Sequence, residues 1–231
     1  VLVYHPSTHQ VLLSPLLKKK EVFETFPVFS PDGNKLYFCA AKQMPIPEKY
    51  KEIRYSLCSI DFDKEKGTFG NRIDTLIDAE KMKKSISFPR PSYDGKYIMF
   101  TLSDYGNFSI WHKEADLWLL NLQDGSLRTI HEVNSDNTES FHNWSSNSHW
   151  FVFSSRREDG LYTRLYLACI NKEGKVSKPF LLPQKNPMNY YDKLLYSYNV
   201  PEFTNSPVKI EPRKLEREIV SNKRVQVEVR K

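Results

Sequence analysis

A nine-residue pattern that occurs three times constrains the fold of this chain more than any single residue does. Its copies are SPDGNKLYF at 30–38, SYDGKYIMF at 92–100 and SSNSHWFVF at 145–153. Asp or Asn at the third place can accept a hydrogen bond from the backbone two residues on, and Gly at the fourth place tolerates positive φ. The third copy has Ser148 at that fourth place. Each copy therefore predicts a tight turn that leads into an apolar strand.

Each copy lies inside a longer unit that repeats the same order of four strands. The units span 23–79, 85–134 and 139–184, and their turns are 62 and 53 residues apart. The predicted strands are 25–29, 36–41, 53–62 and 72–77, then 87–91, 97–102, 116–122 and 127–133, then 140–144, 150–154, 164–170 and 178–182. Such units are typical of a β-propeller, whose blades need neighbours to bury their second faces. The sequence predicts an all-β propeller of four-stranded antiparallel blades, with a sandwich as the alternative.

The residues outside the three units are interpreted as parts of further blades. Residues 1–20 contain two strand-like runs, 1–4 and 11–17, which would end a preceding blade. Residues 197–206 could form the first strand of another blade, and residues 207–231 are a charged tail, expected to be solvated or to act as a tether. Since the chain begins without Met and propellers have about four to eight blades, we interpret it as the C-terminal half of a larger ring. Closure of a four-bladed ring by the two ends is the alternative.

The positive charge of the chain does not predict nucleic-acid binding. The formal net charge is +6, but the tail at 207–231 carries an excess of four positive charges and the lysines at 18–20 add three. The body between is close to neutral, whereas a protein that follows a phosphate backbone needs clustered positive charge on its folded surface. No apolar run approaches the roughly 20 residues that cross a bilayer, so no transmembrane segment is predicted.

The three cysteines, Cys39, Cys58 and Cys169, cannot all pair within one chain. No Cys-x-x-Cys spacing occurs, which removes the usual signals of a redox dithiol or a zinc knuckle. Cys39 and Cys58 lie in strands that we predict to be neighbours, so a bridge between them is one alternative. Buried free thiols are favoured, because free Cys packs as a small hydrophobe.

The repeated unit resembles that of TolB-type β-propellers. The matching residues are FSPDG at 29–33, PSYDG at 91–95 and DLWL at 116–119, and in the third unit WS at 144–145 and SSRREDG at 154–160. The resemblance covers about residues 23–183. It implies a periplasmic or cell-envelope protein that binds other proteins and has no catalytic residues to transfer. The altered third turn, the long insertions after the second strands and the basic tail depart from the pattern, which leaves the particular partner open.

In a propeller, the loops opposite the repeated turns share one face, and here they are rich in aromatic rings and cations. Aromatic and Arg side chains are the usual anchors of interfaces. We therefore predict that this face binds a protein or glycan partner. The predicted contact residues are Tyr105, Trp111, His112, His142, Arg156, Arg157 and Tyr162. The alternative for each is that it only packs its own loop onto the blade below.

An enzymatic function is the main alternative. Residues 141–145, FHNWS, resemble a run of propeller lyases that hold a divalent metal through His, although the spacing is one residue shorter. A metal site needs several converging ligands, and the available set is His112, His142 and Glu139. There is no Gly-x-Ser-x-Gly nucleophile elbow. We predict no catalytic residues and no cofactor, and interpret the chain as a non-enzymatic binding or scaffold module of the cell envelope. A metal-dependent, carbohydrate-active enzyme is the alternative, and the oligomeric state is left open.

Overall fold

A computed structural model describes residues 1–221 and 223–230 of this chain. Its strands are β1 (Val3–His5), β2 (Gln10–Leu12), β3 (Val22–Phe29), β4 (Lys35–Lys42), β5 (Ser56–Asp63), β6 (Thr68–Ile77), β7 (Ser85–Pro91), β8 (Tyr97–Ser103), β9 (Asp116–Asn121), β10 (Leu127–Thr129), β11 (Glu139–Trp144), β12 (Trp150–Ser155), β13 (Arg164–Cys169), β14 (Phe180–Leu181) and β15 (Glu228–Arg230). Its α-helices are α1 (Ala79–Met82), α2 (Pro187–Asp192) and α3 (Pro212–Val220). Short 3-10 helices occupy Pro15–Leu17, Tyr50–Glu52 and Ser109–Trp111.

Three four-stranded antiparallel sheets follow one another along the chain. Strands β3 to β6 form blade I, β7 to β10 form blade II and β11 to β14 form blade III, each in simple chain order. The first strand of blade II contacts the first strands of both neighbours. The predicted all-β propeller of four-stranded blades is therefore confirmed. The fourth strands β10 and β14 are shorter than the sequence predicts, at three and two residues.

The apolar second strand of blade II is buried on both faces because blades I and III cover it from either side. In β8, Ile98 and Phe100 pack into a cluster with blade I, whereas the intervening Met99 packs into a cluster with blade III. This is the two-residue alternation of a strand with two buried faces. All of these side chains are inaccessible to solvent, so hydrophobic burial between blades holds the arc together.

The repeated turns have the geometry that their sequence predicts. In the first copy, the Asp32 carboxylate accepts hydrogen bonds from the Ser30 hydroxyl (2.5 Å) and the Asn34 amide (3.1 Å). The fourth residue has positive φ in every copy: Gly33 at 74°, Gly95 at 70° and Ser148 at 58°. Ser148 lacks the freedom of Gly, but its hydroxyl accepts a hydrogen bond from the Asp94 amide of the neighbouring turn (2.9 Å). The third turn is therefore also a contact between blades.

Each first strand carries a β-bulge with a phenylalanine at its centre. The register of each pair shifts at 25–28, 87–90 and 140–143. Phe26, Phe88 and Phe141 have positive φ of 52°, 52° and 51°, a conformation that costs free energy in a bulky residue and persists only where packing enforces it. The Phe88 ring lies 4.2 Å from that of Phe26 and 4.9 Å from that of Phe141. The three rings form a column along the inner side of the blades.

Residues 197–206 are not a strand, contrary to the sequence prediction, but they continue the repeat. The segment reads SYNVPEFTNS, and its Val200 precedes a proline, as Phe26 and Phe88 do in the earlier first strands. Val200 also follows Phe141 by 59 residues, which is close to the spacing of the repeat. The Tyr198 amide donates to the carbonyl of Thr163 (3.3 Å), just as the equivalent amides of Ile86 and Glu139 donate to Tyr55 (2.9 Å) and Ala115 (2.8 Å). The segment thus occupies the place of a first strand. It forms no sheet because no second strand among the described residues pairs with it.

The two ends of the chain meet in a small sheet. Strands β1 and β2 form an antiparallel hairpin, and β15 pairs with β2 in parallel. The tail is exposed along α3, which has no buried residue, and β15 is itself an exposed strand that joins the tail to the N-terminal hairpin. The predicted strand at 11–17 is shorter, because Pro15 starts a 3-10 helix that Ser14 caps. Among the described residues, no helix combines the length and apolar character required to span a bilayer.

Cys39 and Cys58 are free and buried on opposite faces of blade I. Cys58 pairs with Phe38 across β4 and β5, and Cys39 with Leu57, so their side chains enter different apolar clusters. Burial raises the pKa of Cys58 to about 11 and that of Cys39 well above its usual value. The favoured expectation of buried free thiols holds for this pair, whereas Cys169 is a free thiol that is only partly buried.

Candidate functional site

The loop between β8 and β9 is fastened to both neighbouring blades. Its Gly106 amide donates to the Ile53 carbonyl (2.8 Å), and its Gly106 carbonyl accepts from the Ser85 hydroxyl (2.6 Å). Its buried Ser109 hydroxyl lies 2.8 Å from the hydroxyl of Ser140 in blade III. A further hydrogen bond runs from the Thr138 hydroxyl to the His112 carbonyl (2.6 Å). The backbone of this loop is consequently held in place from two sides.

Two aromatic side chains project from this fixed loop into solvent. Phe108 is 72% exposed and Trp111 is 73% exposed, although the intervening Ser109 and Ile110 are buried. In the 3-10 turn, the Trp111 amide donates to the Phe108 carbonyl (3.0 Å), and side chains three residues apart in such a turn lie on the same side. Large exposed rings on a rigid base can be buried by a partner with little loss of conformational entropy.

Phe108 and Trp111 separate two cavities. The first, here called the aromatic pocket, has a volume of about 580 Å³. It lies between the 46–55 segment of blade I and the 105–112 segment of blade II, and its walls include Ile46, Pro47, Tyr50, Ile53, Tyr105 and His112. Tyr105 makes edge contacts with Tyr50 (5.6 Å between centroids) and His112 (4.4 Å). The pocket therefore has an almost continuous aromatic wall.

The second cavity, here called the inner cavity, has a volume of about 750 Å³ and lies over the phenylalanine column. Its lining includes Phe26, Phe88 and Phe141, and also Val200 from the fourth copy of the repeat. Asn107, Phe108 and Trp111 line both cavities. The two cavities are thus adjacent parts of one face of the blades.

Arg156 adds a cation to this face. Its guanidinium carbon lies 4.4 Å from the centroid of the Trp111 ring, within the range of a cation–π contact. It has no ion pair among the described residues, and its buried Nε atom lacks a hydrogen-bond partner. Burial lowers the pKa of Arg156, against an opposing effect of the Asp159 carboxylate. The face therefore carries a partly desolvated positive charge that makes no ion pair with a carboxylate of residues 1–221 and 223–230.

His142 does not belong to this face, contrary to the sequence prediction. It is 0% exposed, its Nε2 donates to the Met99 carbonyl (3.0 Å), and its Nδ1 has no hydrogen-bond partner within residues 1–221 and 223–230. Burial lowers the pKa of His142 to about 3, so the ring is neutral at physiological pH. A side chain inside the strand layer cannot contact a partner at the surface.

Arg157 is also directed inward. Its guanidinium lies 3.0 Å from the Glu139 carboxylate, donates to the Ser155 hydroxyl through Nε (2.9 Å), and stacks on Tyr166 (4.4 Å to the centroid). Glu139 is 0% exposed, and burial raises its pKa, opposed by hydrogen bonds from Ser155 and Ser135. This pair joins the 133–139 segment to blade III, so Arg157 has a structural role.

Tyr162 lies at a different cavity, of about 500 Å³, between the β12–β13 loop and α2. The Arg164 guanidinium lies 5.4 Å from its ring. Of the seven predicted contact residues, the structure brings four together on one face: Tyr105, Trp111, His112 and Arg156. It does not bring His142, Arg157 or Tyr162 to that face.

The three candidate metal ligands do not converge. His112 Nδ1 lies 3.0 Å from the exposed Glu114 carboxylate, His142 is hydrogen-bonded to Met99, and Glu139 contacts Arg157. Within residues 1–221 and 223–230, no three His, Cys, Asp or Glu side chains are grouped to hold a metal ion. The geometry gives the metal-dependent alternative no support.

The phenylalanine column is not among the predicted contact residues, and neither are Ile46, Pro47 and Phe23 of the aromatic pocket. A signal for the column is present, since TFP, SFP and SFH at 25–27, 87–89 and 140–142 stand at a fixed distance before each repeated turn. The pocket residues have no comparable signal, because they meet only when blades I and II stack.

Neither a protein-family model nor a curated relative matches this chain. Among solved structures, it is similar to an oligogalacturonate lyase in complex with manganese, with 12% identity over 79% of this chain and 48% of that chain, and a TM-score of 0.54. A TolB-type protein of Agrobacterium tumefaciens gives 20% identity, coverages of 71% and 50%, and a TM-score of 0.45. TolB of Acinetobacter baumannii gives 17% identity over 77% of this chain and 40% of that chain, with a TM-score of 0.45. This chain spans half or less of the length of each of these three structures.

Proposed function

We propose that this chain is a non-enzymatic binding or scaffold module of the cell envelope, which presents its aromatic and arginine-bearing face to a protein or glycan partner. One observation carries the proposal: Trp111 and Arg156 stack on each other at the surface, and Arg156 has no carboxylate partner among the described residues. Trp, Tyr and Arg dominate binding energy at interfaces. The resemblance of the repeat to TolB-type propellers supports the envelope location.

The exposed rings supply a substantial driving force for association. An aromatic side chain buries about 150–250 Å², and Phe108 and Trp111 are about three-quarters exposed. At about 25 cal/mol per Å², covering either ring corresponds to about 3 kcal/mol, before the entropic costs of association are subtracted. Because hydrogen bonds to blades I and III already fix the loop, those costs are reduced.

The proposal is tested with matched pairs of variants. Immobilised wild-type protein, Trp111→Ala/Arg156→Ala and the control Trp150→Ala/Arg72→Ala are exposed to solubilised envelope proteins and to a glycan array. The control removes an exposed Trp beside the third turn and an exposed Arg on β6. We expect the first double variant to lose at least tenfold in retained partner and the control to match wild type. Equal retention by both double variants would show that this face is not the binding face.

A further inference from the structure

The chemistry of the aromatic pocket indicates which of the two partner classes, protein or glycan, it binds. This inference deepens the proposed function and rests on it. The polar groups of its lining are the side chains of Asn107 and His112, the hydroxyls of Tyr50, Tyr55 and Tyr105, and the indole N–H of Trp111, whereas the rest of the lining is apolar or is Gly106. A sugar ring carries hydroxyl groups around its whole edge, and each one left unpaired on burial costs about 1–3 kcal/mol. An apolar side chain has no such cost. The pocket is therefore suited to a hydrophobic side chain.

Cations without acidic partners flank this pocket on two sides. Arg156 stacks on Trp111, and the Lys51 ammonium lies 5.8 Å from the centroid of the Tyr50 ring. Neither side chain has a carboxylate within ion-pair distance among residues 1–221 and 223–230. The Asp159 carboxylate opposes the lowering of the Arg156 pKa but does not pair with Arg156. It accepts hydrogen bonds from the amides of Leu161 (2.7 Å) and Tyr162 (2.8 Å). An exposed carboxylate, that of Glu114, lies 3.0 Å from His112 of the lining, so the side of the pocket that is complementary to an acidic group is the side of Trp111 and Arg156.

The stacked guanidinium is oriented to receive a carboxylate. The guanidinium carbon lies 4.4 Å from the centroid of the Trp111 ring, and Nε is buried, so the two terminal nitrogens are the groups that can pair bidentately with a carboxylate. Since Trp111 lines both cavities, a group in the aromatic pocket and a group on Arg156 lie on either side of one side chain. A single short segment can therefore reach both.

We propose that the ligand of this face is a polypeptide segment in which a large apolar side chain enters the aromatic pocket and an Asp or Glu within a few residues of it pairs with Arg156. The apolar residue supplies most of the affinity by burial against Tyr50, Tyr105 and Trp111. The acid supplies orientation, because its bidentate pair with Arg156 has one geometry. Lys51 favours a second acidic residue on the other side of the anchor.

The test selects peptides from a random twelve-residue phage library on wild-type protein, after depletion on Trp111→Ala/Arg156→Ala. We expect a consensus that contains an aromatic or large aliphatic residue with Asp or Glu within three positions. A synthetic consensus peptide is then measured by fluorescence anisotropy, together with its Asp→Asn or Glu→Gln analogue. On wild type, the analogue should bind at least tenfold more weakly than the acidic peptide.

Arg156→Ala should weaken the acidic peptide at least tenfold and leave the amide analogue unchanged, which assigns the acid to Arg156. Arg156→Lys keeps the charge and should recover only part of the affinity. Equal thermal midpoints of all variants exclude misfolding. A consensus without an acid, or an acid preference that survives Arg156→Ala, would overturn the proposal.

A glycan array probed in parallel separates this proposal from the function on which it rests. Glycan binding that depends on Trp111, without any selected peptide, would overturn the peptide class and leave the binding face in place. Failure to select any peptide or glycan that depends on Trp111 or Arg156 would overturn both.

Discussion

The buried histidine of blade III should make the protein sensitive to mild acid. His142 is fully buried, and its pKa is lowered to about 3, from an ordinary value of about 6.5. Between these two values the unfolded chain binds a proton at this site and the folded chain does not, so the free energy of unfolding falls as the pH decreases. The stability is fully present above pH 6.5 and is lost toward pH 3.

The size of the effect follows from the two pKa values. Each unit of pH between them costs about 1.4 kcal/mol. Relative to pH 7.5, His142 should therefore lower the free energy of unfolding by about 2 kcal/mol at pH 5 and about 3 kcal/mol at pH 4. Other groups also titrate in this range, so the measurement compares the wild type with a variant that cannot titrate at this position.

His142→Gln is the suitable variant, because its amide can still donate to the Met99 carbonyl that accepts from Nε2. Urea unfolding of both proteins at pH 7.5, 6.0, 5.0 and 4.5 gives the difference in their free energies of unfolding. We expect that difference to move by about 2 kcal/mol in favour of the variant between pH 7.5 and pH 5. A difference that stays constant with pH would refute the assignment of His142 as a neutral buried group.

Three further outcomes are expected. Arg157→Met should lower the free energy of unfolding by about 3 kcal/mol at pH 7, because it leaves the Glu139 carboxylate buried without its cation. Since burial raises the pKa of Glu139, the loss should be smaller at pH 4, and urea titrations at both pH values measure the difference. Ser148→Ala should be about 1 kcal/mol less stable than Ser148→Gly in thermal unfolding. Both variants lose the hydrogen bond from the Asp94 amide, but only Gly adopts the positive φ of this position without strain. Equal stabilities of the two variants would contradict backbone strain at this turn. Iodoacetamide at pH 8 should modify Cys169 before Cys39 and Cys58, which are buried and have raised pKa values. Mass spectrometry of digests gives the order of modification, and early modification of either buried thiol would contradict the expectation.

The repeated turns and the strand order could be predicted because their signals are local. Asp32 and Asn147 accept backbone hydrogen bonds two residues away, and the strands that follow alternate or run continuously apolar. These features depend on neighbours in the chain, which the sequence displays directly. The strand at 197–206 failed as a prediction because a strand also needs a pairing partner, which local sequence does not contain.

The candidate site could be predicted only in part, because exposure is decided by the stacking of blades. Trp111 and Arg156 were assigned from residue type and loop position, and the structure places them together. His142 was placed among binding residues, but it occupies the bulge position where the other first strands have Pro27 and Pro89. Pro27 is exposed and Pro89 is buried, so an alignment of the first strands does not decide the burial of this position, which depends on the packing around each blade.

The hydrogen bonds that anchor each first strand have a consequence for the order in which the protein folds. Ile86, Glu139 and Tyr198 each bond to the preceding blade, so a first strand can dock before its own sheet exists. The Tyr198 segment shows this arrangement, since no second strand within the described part of the chain pairs with it. Each completed blade can therefore serve as the template for the next, and nearest-neighbour coupling of this kind lets structure spread along a repeat protein. We expect the blades to form from the N-terminal side onward, in the direction of synthesis on the ribosome.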